Sequence, residues 1–209
     1  MSGDVHVRFC ERPGVRLPRA THLIVGFEHE AEAERFLTGL RERLAKCGLE
    51  LHPEKTRVLE FGRYAAERRA SAGKGKPETF DFLGFTHICG RTRNGRFTVV
   101  RQTARKRGQA KLRAVKAELR RRMHDPIPEV GAWLRQVVGG HTRYYGVPTN
   151  GPAIAMFRFQ VVGLWRRTLT RRSQTGEVAW ARMRRLVERW LPPARICHPY
   201  PHQRLTVTT

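Results

Sequence analysis

Aspartate is nearly missing from this chain. Among 209 residues there are three, Asp4, Asp81 and Asp125, and no two are adjacent. A catalytic centre built on neighbouring aspartates that hold two divalent ions cannot be assembled from them. Cysteine is also sparse. Cys10, Cys47, Cys89 and Cys197 are widely spaced with no CxxC pair, so neither a disulfide framework nor a zinc site is signalled. A reducing, cytoplasmic setting fits that usage. "CHPYPH" brings Cys197, His198 and His202 close together, but the sequence points to no further ligand that would complete a metal site. No run of about 18 apolar residues occurs, so no membrane span and no membrane partner are expected. "MSGDVHVRFCERPG" has no apolar core of a signal peptide. Lysine is scarce too, with seven, at 46, 55, 74, 76, 106, 111 and 116.

What is abundant is arginine. Lys and Arg together number 41 against 18 acidic residues, for a net charge of +23. Such a surplus points to a polyanionic partner. Arginine's planar fork suits phosphates and base edges. The chain is 40% hydrophobic, enough for a real core in one large or two small domains.

Periodicity divides the chain in two. Residues 1–18 show none and read as an irregular segment. Leu23–Phe27 reads as a strand, and Glu30–Cys47 as a helix with Ala33, Phe36, Leu37, Leu40 and Leu44 at helical spacing. Gly48 is placed to end that helix. Arg57–Phe61 reads as a second strand, giving strand–helix–strand. Residues 62–79 should be a loop with at most a short helix. Phe80–Cys89 and Arg96–Arg101 should pair as a hairpin across Asn94-Gly95, read as a two-residue turn. Beyond about Thr103 the pattern turns helical. Four helices are expected, from about 103 to Pro126, Glu129–Tyr145, Ala153–Arg172 and Glu177–Trp190. Trp133, Trp165, Trp180 and Trp190 all sit in apolar stripes and read as core.

The first of these helices carries the strongest signal. Arg101, Arg105, Lys106, Arg107, Lys111, Arg113, Lys116, Arg120, Arg121 and Arg122 share one segment with a single anion, Glu118. Unscreened, they would repel one another, so a phosphate-binding surface is the better reading. Arg166, Arg167, Arg171 and Arg172 form a second basic group. Arg182, Arg184, Arg185 and Arg189 form a third. Tyr144 and Tyr145, beside Arg143, could stack on unpaired bases.

Several motifs in order resemble bacterial group II intron reverse transcriptase/maturases. "LIVGFEHEAEAERFLTGLRERLAKCGLELHPEKT", "FDFLGF", "GAWLRQVVGGHTRYYGVPTN" and "RICHPYPHQRL" carry the resemblance over about residues 23–205. "GLELHPEKT" is similar to the late palm motif, "FDFLGF" to the primer grip, and the helical half to the thumb, or maturase-specific X domain. The resemblance implies an α+β fold: a truncated reverse-transcriptase palm at 19–101, then an all-α thumb/maturase bundle at 102–209. It implies binding of group II intron RNA or other structured RNA in support of splicing, with DNA at the intron target as a further possible partner. The RNA itself performs the transesterification in such systems.

The family's Tyr-Ala-Asp-Asp element precedes a strand like Leu23–Phe27. Ungapped, those places hold Arg19, Ala20, Thr21 and His22. With an insertion, Phe9 falls at the tyrosine, Glu11 at the first aspartate and Arg12 at the second. Neither alignment restores a carboxylate pair. The expectation is therefore an RNA-binding protein without its own polymerase centre, with no cofactor, since Mg²⁺ belongs to intact relatives. Lys55 is similar to a palm lysine near the incoming nucleotide and is left as a residual phosphate contact. The alternative is an RNA-directed DNA polymerase whose fingers and early palm are supplied in trans or lost to a frameshift. The pattern specifies no oligomeric state.

Overall fold

The computed structural model of the chain describes residues 5–9 (backbone only), 23–52, 56–172 and 178–200. The chain divides into two compact units, 1–100 and 101–209. The sequence placed that boundary one residue later.

The first unit is mixed α+β. Strand β1 (Val5–Phe9) lies between β2 (Leu23–Phe27) and β3 (Arg57–Glu60) and runs antiparallel to both. Val7 stands opposite Val25 on one side and Val58 on the other. The irregular segment expected at 1–18 thus contains the central strand of this sheet. Five residues carry too weak a pattern to announce a strand whose partners are remote in sequence. β2 and β3 are consequently parallel but not adjacent, and helix α1 (Glu30–Lys46) crosses between them. The expected strand–helix–strand is a split β-α-β unit.

α1 forms because Ala33, Leu37 and Leu40 recur on one face, and that face packs on Val25, Phe27, Leu51 and Val58. Its first turn carries Glu30 and Glu32, favourable to the exposed N–H groups there. It ends in a Schellman turn: the Leu49 N–H donates to the Leu44 carbonyl and Gly48 N–H to Ala45, with Gly48 at φ +67°. The other face of the sheet, Ile24 and Leu59, packs on Phe61, Phe80, Phe82 and Cys89. Alternation along β2 and β3 supplies both faces. A short helix α2 (Ala65–Ser71) sits in the expected loop.

The second sheet, β4 (Phe80–Phe82), β5 (Phe85–Arg91) and β6 (Phe97–Thr103), differs from expectation at both turns. "FDFLGFTHI" is two strands, with Phe82 opposite Phe85. The turn is Leu83-Gly84, both at positive φ (48° and 80°), a type I′ geometry built on a leucine. The second turn has three residues. Gly95 N–H donates to the Thr92 carbonyl and Thr92 N–H to Arg96, with only Gly95 left-handed at +74°. Asn94 stays at negative φ, so the glycine forms a bulge after an ordinary turn.

The described residues of the second unit form four helices: α3 (Arg105–Arg121), α4 (Ile127–Tyr145), α5 (Gly151–Arg172) and α6 (Trp180–Trp190). Their core is Val115 and Leu119 from α3, Leu134 and Val138 from α4, Val161 and Trp165 from α5 and Met183 from α6. α4 starts before Pro128 and α5 before Pro152, because a first-turn residue needs no N–H donor. Trp165 is fully buried, and Trp133 and Trp190 pack on the core at its margin. Trp180 is half exposed, against expectation, and lies at the α6 start under the Arg166 guanidinium, 4.4 Å from its carbon. No helix among the described residues is long and apolar enough to cross a membrane.

A candidate nucleic-acid interface on the helical unit

α3 buries one narrow stripe, Leu112, Val115 and Leu119, and leaves the rest to solvent. At about 100° per residue, Arg105, Lys116, Arg120, Arg113 and Lys106 fall within about 100° of arc. All five are exposed and none has an ion-pair partner among the described residues. They form a cationic stripe about 22 Å long. The opposite flank carries Arg107 and Lys111, next to α4: their charges act on Tyr145 and His141 respectively.

The C-terminal end of the stripe is partly self-neutralised. Glu118 accepts from Arg121 Nη2 at 2.8 Å and from Arg122 Nε at 2.5 Å. Those hydrogen bonds hold the Glu118 carboxyl below the usual carboxylate range and raise Arg121 in turn. Arg122 also lies over the Trp133 ring. Of the ten cations of this segment, these two are therefore the least available to phosphate. Arg101 is half-buried, with its backbone N–H donated to the Thr149 hydroxyl at 3.0 Å.

At the end of α4, Tyr144 is half exposed and meets Tyr145 edge-on at 4.8 Å. Tyr145 is partly buried, and burial foremost, then Tyr144, raises its phenol while Arg107 opposes. Its ring lies 4.6 Å from His141, which stacks on Phe157 at 3.6 Å. Burial, and secondarily Lys111, lower His141 to about 4, so it is neutral at pH 7. Arg143 is exposed, and its carbonyl contacts His198 Nε2 at 2.6 Å. Tyr144 and Arg143 thus face solvent, while Tyr145 is committed to packing.

The basic group of α5 is divided in a way the sequence does not announce. Arg167 and Arg171 are exposed. Arg166 donates to the Val178 carbonyl at 3.0 Å while stacked on Trp180. Arg172 donates to the Asp125 and His124 carbonyls at 2.8 and 3.3 Å. Arg166 and Arg172 are fasteners of the bundle.

Among the described residues of the first unit, those singled out from the sequence are not brought together. Lys55, Glu11, Arg12 and Arg19–His22 lie outside the described residues. Asp81 accepts from the Thr86 hydroxyl across the β4–β5 turn. Glu28 and Glu30 line a cleft of about 480 Å³ together with Arg68, Arg69 and Lys74, a mixed-sign wall. Among the described residues no three His, Cys, Asp or Glu side chains converge as metal ligands.

The chain matches no protein-family model and no curated protein. The candidate interface therefore rests on its own geometry: a solvent-facing cationic stripe on α3 and, separately, an exposed tyrosine at the end of α4.

Proposed function

We propose that the chain binds structured RNA through α3 and the end of α4, as the RNA-holding part of a group II intron maturase-like protein, and that it does so without a polymerase centre of its own. The observation that carries this reading is the row of five exposed, unpaired cations on one flank of α3. Without a polyanion their mutual repulsion is uncompensated; against a phosphate backbone each displaces a counterion. The motifs "GLELHPEKT", "FDFLGF" and "GAWLRQVVGGHTRYYGVPTN" support the choice of intron RNA. Binding of this kind requires no metal held by the protein. DNA at an intron target offers the same phosphates and is a secondary partner.

The test is equilibrium binding of a group II intron RNA against an unrelated structured RNA of equal length at ~150 mM salt. Preference for the intron RNA is expected, with a steep salt dependence. Equal affinity would remove the intron assignment. A second reading is RNA-directed DNA polymerisation with the carboxylates supplied by another polypeptide. The split β-α-β arrangement beside the "FDFLGF" hairpin favours it, since the resemblance implies a palm there. Primer extension by a two-component mixture would support it; no extension with any candidate partner would end it.

A further inference from the structure

A second basic surface lies in the first unit, between α2 and the β5–β6 hairpin. It is a cleft of about 710 Å³ whose wall includes Arg63, Tyr64, Glu67, Gly90, Arg91 and Arg96. Tyr64 exposes 42% of its surface, and Arg63, Arg91 and Arg96 are exposed. Among the described residues Glu67 is the one carboxylate of the lining; it pairs with Arg91 at 3.3 Å, but both side chains are nearly two-thirds exposed (64% and 65%), so the pair is weak. Arg63 and Arg96 have no ion-pair partner among the described residues. Gly62, Gly90 and Gly95 contribute bare backbone to the wall, and Gly62 and Gly95 hold positive φ. A Cβ on Gly90 would come within 2.5 Å of Val100 Cγ2, so that bareness is enforced by packing.

Separated guanidinium groups, an accessible ring and open backbone match the repeating chemistry of a nucleic-acid strand, phosphate then base. Paired bases in a duplex are stacked on each other and cannot lie on a ring inside a concave surface. A free nucleotide suits an enclosed site with converging polar groups. Here the cations are spread along both sides of an open cleft. We propose that this cleft binds a single-stranded RNA segment, with a base stacked on Tyr64 and the flanking phosphates on Arg63 and Arg96. The site goes beyond the α3 surface and does not depend on it.

The test uses the full chain carrying Arg113→Glu and Lys116→Glu, which weaken the α3 surface, and an octauridylate containing 5-iodouridine. Photocrosslinks are expected on Tyr64, retained in Tyr64→Phe. Tyr64→Ala should weaken octauridylate binding at least about fivefold. Tyr64→Leu, which keeps apolar bulk without a ring, should behave the same and guards against a folding defect. Arg63→Ala with Arg96→Ala should flatten log K against log salt by about 1.4, ~0.7 for each phosphate contact. Crosslinks confined to residues beyond 100, or parental affinity in Tyr64→Ala, would overturn the proposal. Displacement of the octamer by hexaglutamate at equal concentration would reassign the cleft to acidic peptides, and displacement by UMP to a mononucleotide. Failure of the intron-RNA preference leaves all these readings intact, so the two proposals fail separately.

Discussion

Asn150 is the most consequential polar side chain in the helical unit. It is fully buried, and its amide makes three hydrogen bonds. Oδ1 accepts the Thr103 N–H at 2.9 Å; Nδ2 donates to the Thr103 hydroxyl at 2.9 Å and to the Tyr145 carbonyl at 2.8 Å. One side chain thereby ties the segment entering α3 to the end of α4 and the start of α5. Thr149 reinforces it, held at φ 76° with its hydroxyl between the Arg101 N–H and carbonyl. Asn150→Ala removes three bonds at about 1 kcal/mol each, and it leaves a buried N–H and carbonyl unsatisfied. The expected loss is about 3–5 kcal/mol, a fall in melting temperature on the order of 15 °C or more for a unit of this size. All four tryptophans, at 133, 165, 180 and 190, lie in this unit, so tryptophan fluorescence during urea unfolding reports it selectively. Asn150→Asp should also be destabilising, because it keeps the acceptor, loses both donors and buries a carboxylate. If Asn150→Ala unfolds within about 1 kcal/mol of the parent, the bridge is not what holds the α3 entry, and the reasoning fails.

Leu83, 65% exposed at φ 48°, occupies a conformation that costs a branched residue about 1 kcal/mol; Leu83→Gly should raise the stability of the first unit by up to that amount, read by far-UV circular dichroism in urea. Gly131→Ala would place a Cβ 2.5 Å from the Trp190 ring, and overpacking of about 1–3 kcal/mol should exceed the helix-propensity gain of about 1, lowering the urea midpoint. For His141 the unfolded chain binds a proton below about 6.5 and the folded chain only below about 4. Stability is therefore unaffected above that window and falls as pH drops through it, by no more than about 3 kcal/mol and less where solvent reaches the ring edge; His141→Phe should remove this part of the pH dependence of the urea midpoint. Arg172→Ala should lower stability by about 1–3 kcal/mol, since two carbonyls lose a charged donor, while leaving the salt slope of RNA binding unchanged.

The helical half was largely legible because its period is written in large apolar residues. Leu112, Val115 and Leu119, or Phe157, Val161 and Trp165, can be satisfied only by one buried stripe. Helix starts were less legible: proline reads as a stop, yet Pro128 and Pro152 lie inside first turns. In the first unit, β1 escaped notice because a strand's identity depends on partners, here Val25 and Val58, that lie 18 and 51 positions from Val7. The Leu83-Gly84 turn escaped because leucine carries no turn signal; the register of Phe82 and Phe85 imposes the conformation on it. The basic stripe on α3 could be read from spacing alone, whereas the cleft around Tyr64 could not, since its walls are brought together only by the fold.

The same limit governs the arginines, and a physical reason can be given for how they divide. α6 ends at Trp190 and is followed by Pro192-Pro193, which have no N–H to offer the last carbonyls of the helix. Side chains supply the missing donors. Arg135 reaches the Arg189 and Trp190 carbonyls at 2.6 and 3.4 Å, and Arg158 reaches Pro192 and Leu191 at 2.9 and 3.4 Å. Arg166 and Arg172 do the same for Val178 and for the turn before α4. Guanidinium suits this work because it remains charged, is weakly hydrated and can donate to two carbonyls at once. A net charge of +23 therefore overstates the capacity for phosphate. If the chain binds RNA as proposed, affinity and its salt dependence are set by the cations with no carbonyl or carboxylate to hold; among the described residues of α3 these are Arg105, Lys106, Arg107, Lys111, Arg113, Lys116 and Arg120, and all but Arg107 and Lys111 share one flank.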